Sequence, residues 1–279
     1  MIQYRYLGRV GYDDGLRLQE QLVELRRADR IGNVLLLLEH PPVLTLGRHA
    51  NRANVLASDE LLAARGVTLH HISRGGDVTY HGPGQLVGYP IFDLRSLEKP
   101  GSGRMGPVDF VRLMEEALIG VCGAYGVRAG RIAGLTGVWV GTEDEQRARK
   151  IGAIGIHVSR GITSHGFALN VRTDLRDFQL INPCGITDKP VTSLEASGVR
   201  PAGASSLPGV EVIAQEAARQ FGLVFRQEMR ELPSLEALLE SAEKKATGSA
   251  REFPAEDTPV QVPEEVDRLL GHTERPVRG

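Results

Sequence analysis

The sequence is poor in the features that mark secreted and membrane proteins. It has only two cysteines, Cys122 and Cys184, too few for the disulfide framework of a small secreted domain. The longest strongly apolar run, residues 34–38, is far shorter than the roughly 20 residues needed to cross a bilayer. Residues 1–10 contain no continuous apolar segment of the kind found in secretory signals. We therefore expect no membrane association and a location in the reducing cytoplasm.

A strong charge imbalance is also missing. The formal net charge is -2 and the pI is about 6.5, so the chain has no general attraction for nucleic acid, and we expect none as a partner. With 41% hydrophobic and 24% charged residues over 279 positions, the composition is typical of a globular protein that buries a substantial core.

Helix and strand patterns are interspersed along the chain. They predict helices over 12–29, 58–65, 107–125 and 210–221, strands over 33–40, 42–47, 87–94 and 137–141, and a hairpin of 151–158 and 163–171. Because helices and strands do not alternate strictly, the pattern favours an α/β (α+β) fold with a mixed sheet over a doubly wound arrangement.

The composition changes near residue 226. Residues 226–279 contain twelve acidic and eight basic residues, several prolines and little apolar content. We predict a main domain over 1–225 and a C-terminal appendage over 226–279, partly helical and flexible, with helices near 234–246 and 263–270. A related hypothesis is that this appendage is dispensable for activity.

Glycine is abundant: 33 of 279 residues, about 12%, against an average near 7%. One cluster is residues 74–85, which read Arg-Gly-Gly-Asp-Val-Thr-Tyr-His-Gly-Pro-Gly-Gln. Its backbone N–H groups have few Cβ atoms around them and are suited to face a ligand. The run matches neither a phosphate-binding loop nor a dinucleotide fingerprint. A tight structural turn is the alternative interpretation.

A second cluster, residues 150–157, reads Lys-Ile-Gly-Ala-Ile-Gly-Ile-His. Small residues weaken a strand unless a ligand or a close neighbour fills the space above them. A hydrocarbon chain lying across the strand and a closely packed helix both account for the pattern. Lys150 itself is interpreted in two ways: as a residue that takes part in the chemistry, or as a polar residue at the exposed end of the strand.

The third stretch, residues 180–187, reads Leu-Ile-Asn-Pro-Cys-Gly-Ile-Thr and places Cys184 in a turn. A turn cysteine is suited to present its sulfur to a pocket, and a nearby ammonium group would make it reactive by lowering its pKa. Cys122, by contrast, falls on the apolar face of a predicted helix and is expected to be a core residue. The spacing of Lys150 and Cys184 does not by itself bring them together.

These motifs together resemble the lipoyl/octanoyl transferases of lipoate biosynthesis. The similarity rests on the run at 74–85, on Lys-Ile-Gly-Ala-Ile-Gly from Lys150, on Gly-Phe-Ala-Leu-Asn from Gly166, and on Asn-Pro-Cys-Gly around Cys184. Their order and spacing match as well as their residue types, over roughly residues 1–225. The resemblance implies the fold of the biotin and lipoate protein ligases, a mixed sheet flanked by helices.

The resemblance also implies a reaction. Cys184 would be the nucleophile and Lys150 its partner, moving an octanoyl group from octanoyl-acyl carrier protein to a lysine through a thioacyl-enzyme. The implied acceptors are the lipoyl domains of 2-oxoacid dehydrogenase complexes and the glycine cleavage H protein, with no cofactor, metal or ATP. The implied substrate-binding residues are Arg74, Gly75, Gly76, Asp77, Val78, Thr79, Tyr80, His81, Ala153, Ile154, Gly155, Gly166, Phe167 and Ala168.

Three other functions fit parts of the sequence. They are an ATP-dependent lipoate ligase on the same fold, a non-catalytic module that binds acyl-protein partners, and a cysteine hydrolase that uses water as acceptor. Six other histidines show no metal-ligand spacing with cysteine or carboxylate and are interpreted as structural or pocket-lining: His40, His49, His70, His71, His157 and His165.

Overall fold

The computed structural model describes residues 1–48, 50–182, 189–198 and 206–248. Its centre is an eight-stranded sheet, accompanied by a three-stranded sheet. The strands are β1 Ile2–Arg9, β2 Asn33–Glu39, β3 Val43–Leu46, β4 Thr68–His71, β5 Val78–His81, β6 Gln85–Ile91, β7 Ala129–Ile132, β8 Leu135–Val140, β9 Arg149–Ser159, β10 Ile162–Asn170 and β11 Met229–Glu231. The predicted mixed sheet flanked by helices is confirmed.

The large sheet runs in the order β11-β1-β2-β6-β10-β9-β8-β7. β1 pairs in parallel with both β11 and β2, and the other neighbours are antiparallel. The small sheet has the order β4-β3-β5, in which β3 is parallel to β4 and antiparallel to β5. The predicted hairpin of β9 and β10 is therefore present at the middle of the large sheet.

Among the described residues, five α-helices accompany the sheets: α1 Tyr12–Arg27, α2 Asp59–Ala64, α3 Pro107–Ala124, α4 Val210–Phe225 and α5 Leu235–Gly248. The predicted helices over these regions are confirmed, and Ser58 caps α2 by accepting a hydrogen bond from the backbone of Leu61 at 3.3 Å. None of the helices in the described ranges is long and apolar enough to cross a membrane.

The large sheet is covered on both faces, which explains the continuous apolar run of β2. Leu35 and Leu37 point into a core shared with α3 and α4. Leu36 and Leu38 point the other way, into a core shared with α1 and α5. A strand whose two faces are both buried has no polar alternation, because successive side chains enter opposite apolar layers.

The segment that follows α4 adds to the large sheet. The Ile2 N–H donates to the carbonyl of Glu228 at 2.8 Å, and β11 pairs with β1. Leu232, Leu238 and Ala242 are buried against the α1 face of the sheet. The predicted helix at 263–270 lies outside the described residues, and the division of the chain after residue 225 stays a prediction.

Candidate active site

A cavity of about 320 Å³ lies where the two sheets meet. Its floor is formed by small residues that face each other across β9 and β10, with Ala153 opposite Ala168 and Gly155 opposite Gly166. Residues of the small sheet and of its neighbouring loop close the other side. The volume is at the low end of the range for small-molecule sites, about 300–1,000 Å³.

Most of the predicted substrate-binding residues come together at this cavity. Cys184, the predicted nucleophile, and His49 lie outside the described residues. The predicted residues that line the cavity are Arg74, Gly75, Gly76, Thr79, His81, Lys150, Ala153, Ile154, Gly155, Gly166, Phe167 and Ala168.

The structure does not bring the side chains of Asp77, Val78 and Tyr80 to this cavity, and their predicted function in substrate binding stays a prediction. Val78 and Tyr80 belong to β5, and successive side chains of a strand point to opposite faces. Thr79 and His81 line the cavity, whereas Val78 and Tyr80 pack into the core beneath the small sheet. Asp77 lies in the loop before β5, where its carboxylate accepts hydrogen bonds from the Asn51 backbone and the Asn54 side chain.

Several lining residues come from parts of the chain that the motifs do not include. They carry no local signal in the sequence, because only the packing of distant elements brings them to the cavity. They are Tyr12, Ile72, Val87, Tyr89, Gly134, Leu135 and Thr136. His165, expected to be structural or pocket-lining, also lines the cavity.

Lys150 lies near the start of β9 and is only 8% exposed. Its Nζ atom stands 4.7 Å from the centroid of the Trp139 ring, a cation–π arrangement. No carboxylate in the described ranges forms an ion pair with it. This burial argues against a strand end capped in solvent and leaves a positive charge that is suited to meet a ligand.

The backbone around Lys150 fixes the segment that follows Cys184 in the chain. The Lys150 N–H donates to the carbonyl of Pro190 at 2.9 Å, and the Lys150 carbonyl accepts from the Thr192 N–H at 2.9 Å. Pro190 comes six residues after Cys184 in the sequence. Residues 190–192, which follow Cys184 in the sequence, are therefore anchored at the lysine.

His81 is held by a buried chain of side-chain amides. The Gln85 amide nitrogen donates to the Tyr80 carbonyl at 3.1 Å and to the Asn170 side-chain oxygen at 2.9 Å. The Gln85 oxygen, 2.8 Å from His81 Nδ1, must then accept, so Nδ1 carries the hydrogen. The Asn170 amide nitrogen donates in turn to the Thr192 carbonyl at 2.9 Å, which connects His81 to the segment paired with Lys150.

Burial keeps the His81 ring neutral. Loss of solvent lowers the pKa of His81 to about 3, and the neighbouring His40 adds to the effect. With the hydrogen on Nδ1, the Nε2 atom keeps its lone pair and is a potential acceptor. His81 is thus a neutral polar group in an otherwise largely apolar cavity.

Arg74 and its two following glycines fix the loop that closes the cavity. Arg74 donates from Nη2 to the Thr45 carbonyl at 2.8 Å and to the Thr45 hydroxyl at 2.9 Å. The Gly75 N–H donates to the carbonyl of Ile156 on β9 at 3.0 Å. A Cβ atom on Gly47 would lie 2.3 Å from the Gly76 carbonyl oxygen, so the loop approaches β3 at backbone distance. The glycine run is therefore more than a turn, because it joins the two sheets over the cavity.

Within the described ranges, no group of three or more histidine, cysteine, aspartate or glutamate residues has the geometry to hold a metal ion. The histidines near the cavity are instead packed against aromatic rings. The Tyr12 ring lies 5.0 Å from His40 and 5.0 Å from His70, between centroids. His40 is further fixed by the Tyr89 hydroxyl, 2.7 Å from its Nε2.

Two kinds of sequence comparison identify relatives of this chain. Residues 12–206 match the family model of the lipoyl protein ligase A/B catalytic domain. The chain is 60% identical over 230 residues to an octanoyltransferase of Acidobacterium capsulatum, and the aligned region covers 82% of this chain and 92% of the relative. It is 49% identical over 269 residues to an octanoyltransferase of Koribacter versatilis, and here the aligned region covers 96% of this chain and 97% of the relative.

The fold is similar to those of solved lipoate ligases. Lipoate-protein ligase A bound with ATP superposes with a TM-score of 0.60 at 18% identity, covering 87% of this chain and 93% of the ligase. A bi-partite lipoate protein ligase from the lipoylation system of Thermoplasma acidophilum gives a TM-score of 0.61 at 16% identity, covering 88% of this chain and 92% of the ligase. At these identities the likeness shows the fold alone. The family match and the two close relatives show more: the chain belongs to the lipoyl protein ligase A/B family and, within it, to the octanoyltransferases, which are acyltransferases.

Proposed function

We propose that this chain transfers an octanoyl group from octanoyl-acyl carrier protein to a lysine of a lipoyl domain through a thioester on Cys184. The observation that carries the proposal is the buried ammonium of Lys150 beside a cavity whose floor is made of glycine and alanine. Such a floor leaves room for an alkyl chain, and the ammonium offers a charge near its reactive end. The two close relatives are octanoyltransferases, which identifies octanoyl as the acyl group in this proposal.

In the first step the Cys184 thiolate attacks the thioester carbon of the donor. A bond from carbon to the Cys184 sulfur forms, and the bond from carbon to the donor sulfur breaks. The Lys150 ammonium favours the thiolate before attack and then gives a proton to the departing thiol. The hydrogen bonds that tie Lys150 to the segment after Cys184 support this pairing.

In the second step the amine of the acceptor lysine attacks the thioester on Cys184. Neutral Lys150 takes the proton that the amine loses, and the Cys184 thiolate leaves, which restores the starting enzyme. The product is an amide, so the transfer from a thioester needs no ATP. We propose the lipoyl domains of 2-oxoacid dehydrogenase complexes and the glycine cleavage H protein as acceptors, in the cytoplasm.

The test is a transfer assay with purified octanoyl-acyl carrier protein and a lipoyl domain, with and without ATP. We expect the lipoyl domain to gain the mass of one octanoyl group at the same rate in both. A strict requirement for ATP, together with use of free octanoate, would identify a ligase and overturn the proposal. Release of octanoate in place of transfer to a competent lipoyl domain would identify a hydrolase.

A further inference from the structure

The floor of the cavity has a direction that is set by the register of β9 and β10. Starting from Lys150, it passes the pair Ala153 and Ala168, then the pair Gly155 and Gly166. Since a strand rises about 3.4 Å per residue, the five steps from Lys150 to Gly155 span about 17 Å. The next residue of β10 beyond Gly166 is His165, which pairs with Ile156 of β9.

A second groove begins where this floor ends. It has a volume of about 810 Å³ and lies between α1 and the hairpin of β9 and β10. Leu16 and Val23 of α1 and Ile162 of β10 give it apolar surface. His165 and Ile72 line both this groove and the cavity, so these two side chains form the partition between them.

His165 is held in place with a strained backbone. Its φ angle is 55°, in the left-handed region that glycine adopts without steric cost and that other residues rarely enter. The His165 N–H donates to the Gln19 side-chain oxygen at 2.7 Å, and His165 Nε2 lies 3.3 Å from the Ser73 hydroxyl. Only 6% of the residue is exposed. Backbone strain that surrounding contacts hold in this way is typical of residues at functional sites.

We propose that His165, together with Ile72, forms the end wall of the acyl cavity and limits the length of the acyl chain that this enzyme transfers. The inference rests on the proposed function, because it requires the thioester to lie at the Lys150 end. An octanoyl chain has seven carbon–carbon bonds of about 1.5 Å and a contour of roughly 10 Å, which the floor accommodates. A hexadecanoyl chain, with a contour of roughly 22 Å, exceeds the floor and meets His165.

The test compares octanoyl- and hexadecanoyl-acyl carrier protein as donors to a lipoyl domain, using the full chain. His165→Gly removes the ring and suits the left-handed backbone, so it opens the cavity to the groove without adding strain. We expect the ratio of the hexadecanoyl to the octanoyl rate to rise at least tenfold. Ile72→Ala should raise the same ratio less, and Ser164→Ala, which alters only the groove, should leave it unchanged.

The outcomes separate this inference from the proposed function. A wild-type chain that transfers no octanoyl group overturns both. A folded His165→Gly variant that transfers octanoyl with an unchanged ratio overturns the end wall alone. Loss of transfer from both donors in the folded variant also overturns it, because a limit on length predicts a gain with the longer chain.

Discussion

In the proposed reaction, Lys150 is the residue on which the chemistry depends among those the structure describes. Its ammonium is buried beside Trp139 without a carboxylate partner in the described ranges. Burying a charge costs free energy unless an opposite charge and hydrogen bonds compensate it. A function in catalysis accounts for this burial better than a function in stability.

Lys150→Met tests that distinction at a single residue. The variant keeps a buried unbranched side chain but has no proton to give or take, so we expect the transfer rate to fall at least about 100-fold. Loss of the cation–π contact and relief of the buried charge oppose each other, so the free energy of unfolding should change by no more than about 1 kcal/mol. Steady-state transfer and urea unfolding measure the two quantities.

Lys99→Met is the matched control for this experiment. Lys99 pairs with Asp109 at 3.1 Å, away from the cavity, and its replacement should leave the transfer rate unchanged. A Lys150→Met enzyme within threefold of wild type would show that the ammonium takes no part in proton transfer.

Three buried histidines predict how stability depends on pH. Burial lowers the pKa of His40 and of His165 to about 4, and that of His81 to about 3, from an ordinary value of 6.5. Between pH 4 and pH 6.5 the unfolded chain therefore binds more protons than the folded chain. The stability from these residues is fully present above pH 6.5 and is lost as the pH falls, by up to about 4 kcal/mol per pH unit for the three together.

His40→Gln measures the share of one histidine in this effect. A Gln amide is able both to donate to the Val10 carbonyl and to accept from the Tyr89 hydroxyl, as His40 does, but it does not titrate. Urea unfolding at pH 7.5 and pH 5.0 should show a stability difference about one third smaller than in wild type. An equal difference in both proteins would mean that His40 does not remain neutral in the folded state.

At the scale of elements, the contact between β10 and β6 depends on a close backbone approach at Gly166. A Cβ atom there would lie 2.1 Å from the Gly88 carbonyl oxygen, which no side-chain motion relieves. The two strands would have to move apart under the cavity floor. The pairing of β10 with β6 therefore requires a residue without a side chain at position 166.

Gly166→Ala should lower the free energy of unfolding by several kcal/mol, in the range of strongly overpacked core sites. Gly75→Ala is the matched comparison, because its Cβ would have an ordinary contact of 3.5 Å with the Ile156 carbonyl and should change stability little. The melting temperatures of the two variants, measured by thermal unfolding, test this difference. Equal melting temperatures would contradict the close approach of β10 to β6.

The sequence predicts the strongly patterned elements and fails where a pattern is short or interrupted. The helices over α1, α3 and α4 and the hairpin of β9 and β10 follow from periodicity and from a clear turn. β5, only four residues long, lies inside a run of glycines that reads as a loop. In a strand, Thr79 and His81 face one side and Val78 and Tyr80 face the other, a distinction that the loop interpretation does not contain.

The cavity shows the same limit of prediction. Its local motifs are visible in the sequence because glycine, lysine and histidine recur at close spacing. Tyr12 and Tyr89 are not visible in this way, since one begins a surface helix and the other lies in a buried strand. Only the packing of α1 across the sheet brings them together.

At the scale of the whole molecule, the segment after α4 belongs to the stability of the main sheet. A chain ending at residue 225 loses β11 and the buried Leu232 and Leu238, each worth roughly 1.5–3 kcal/mol. We expect it to unfold at a markedly lower temperature or to aggregate. A chain ending at residue 248 keeps these elements and should melt within a few degrees of the full chain.

This pair of truncations also tests a narrower form of the hypothesis that the C-terminal appendage, residues 226–279, is dispensable. Because residues 229–242 contribute to the sheet and its core, we expect only residues 249–279 to be dispensable. Transfer activity should survive removal of residues 249–279 and be lost with the fold when 226–279 are removed. A fully stable and active chain ending at residue 225 would contradict the account of β11. Loss of activity in a stable chain ending at residue 248 would contradict dispensability.

The central claim is a covalent octanoyl-enzyme on Cys184, and one measurement tests it most directly. The intact mass of the protein is measured after brief incubation with octanoyl-acyl carrier protein, without ATP or acceptor. Wild type should gain one octanoyl group, and Cys184→Ser should gain none. Cys122→Ala should behave as wild type, because Cys122 is buried in the core and its pKa is raised to about 12. An adduct that persists in Cys184→Ser, or a wild type that acylates a lipoyl domain without any thiol adduct, would contradict the claim.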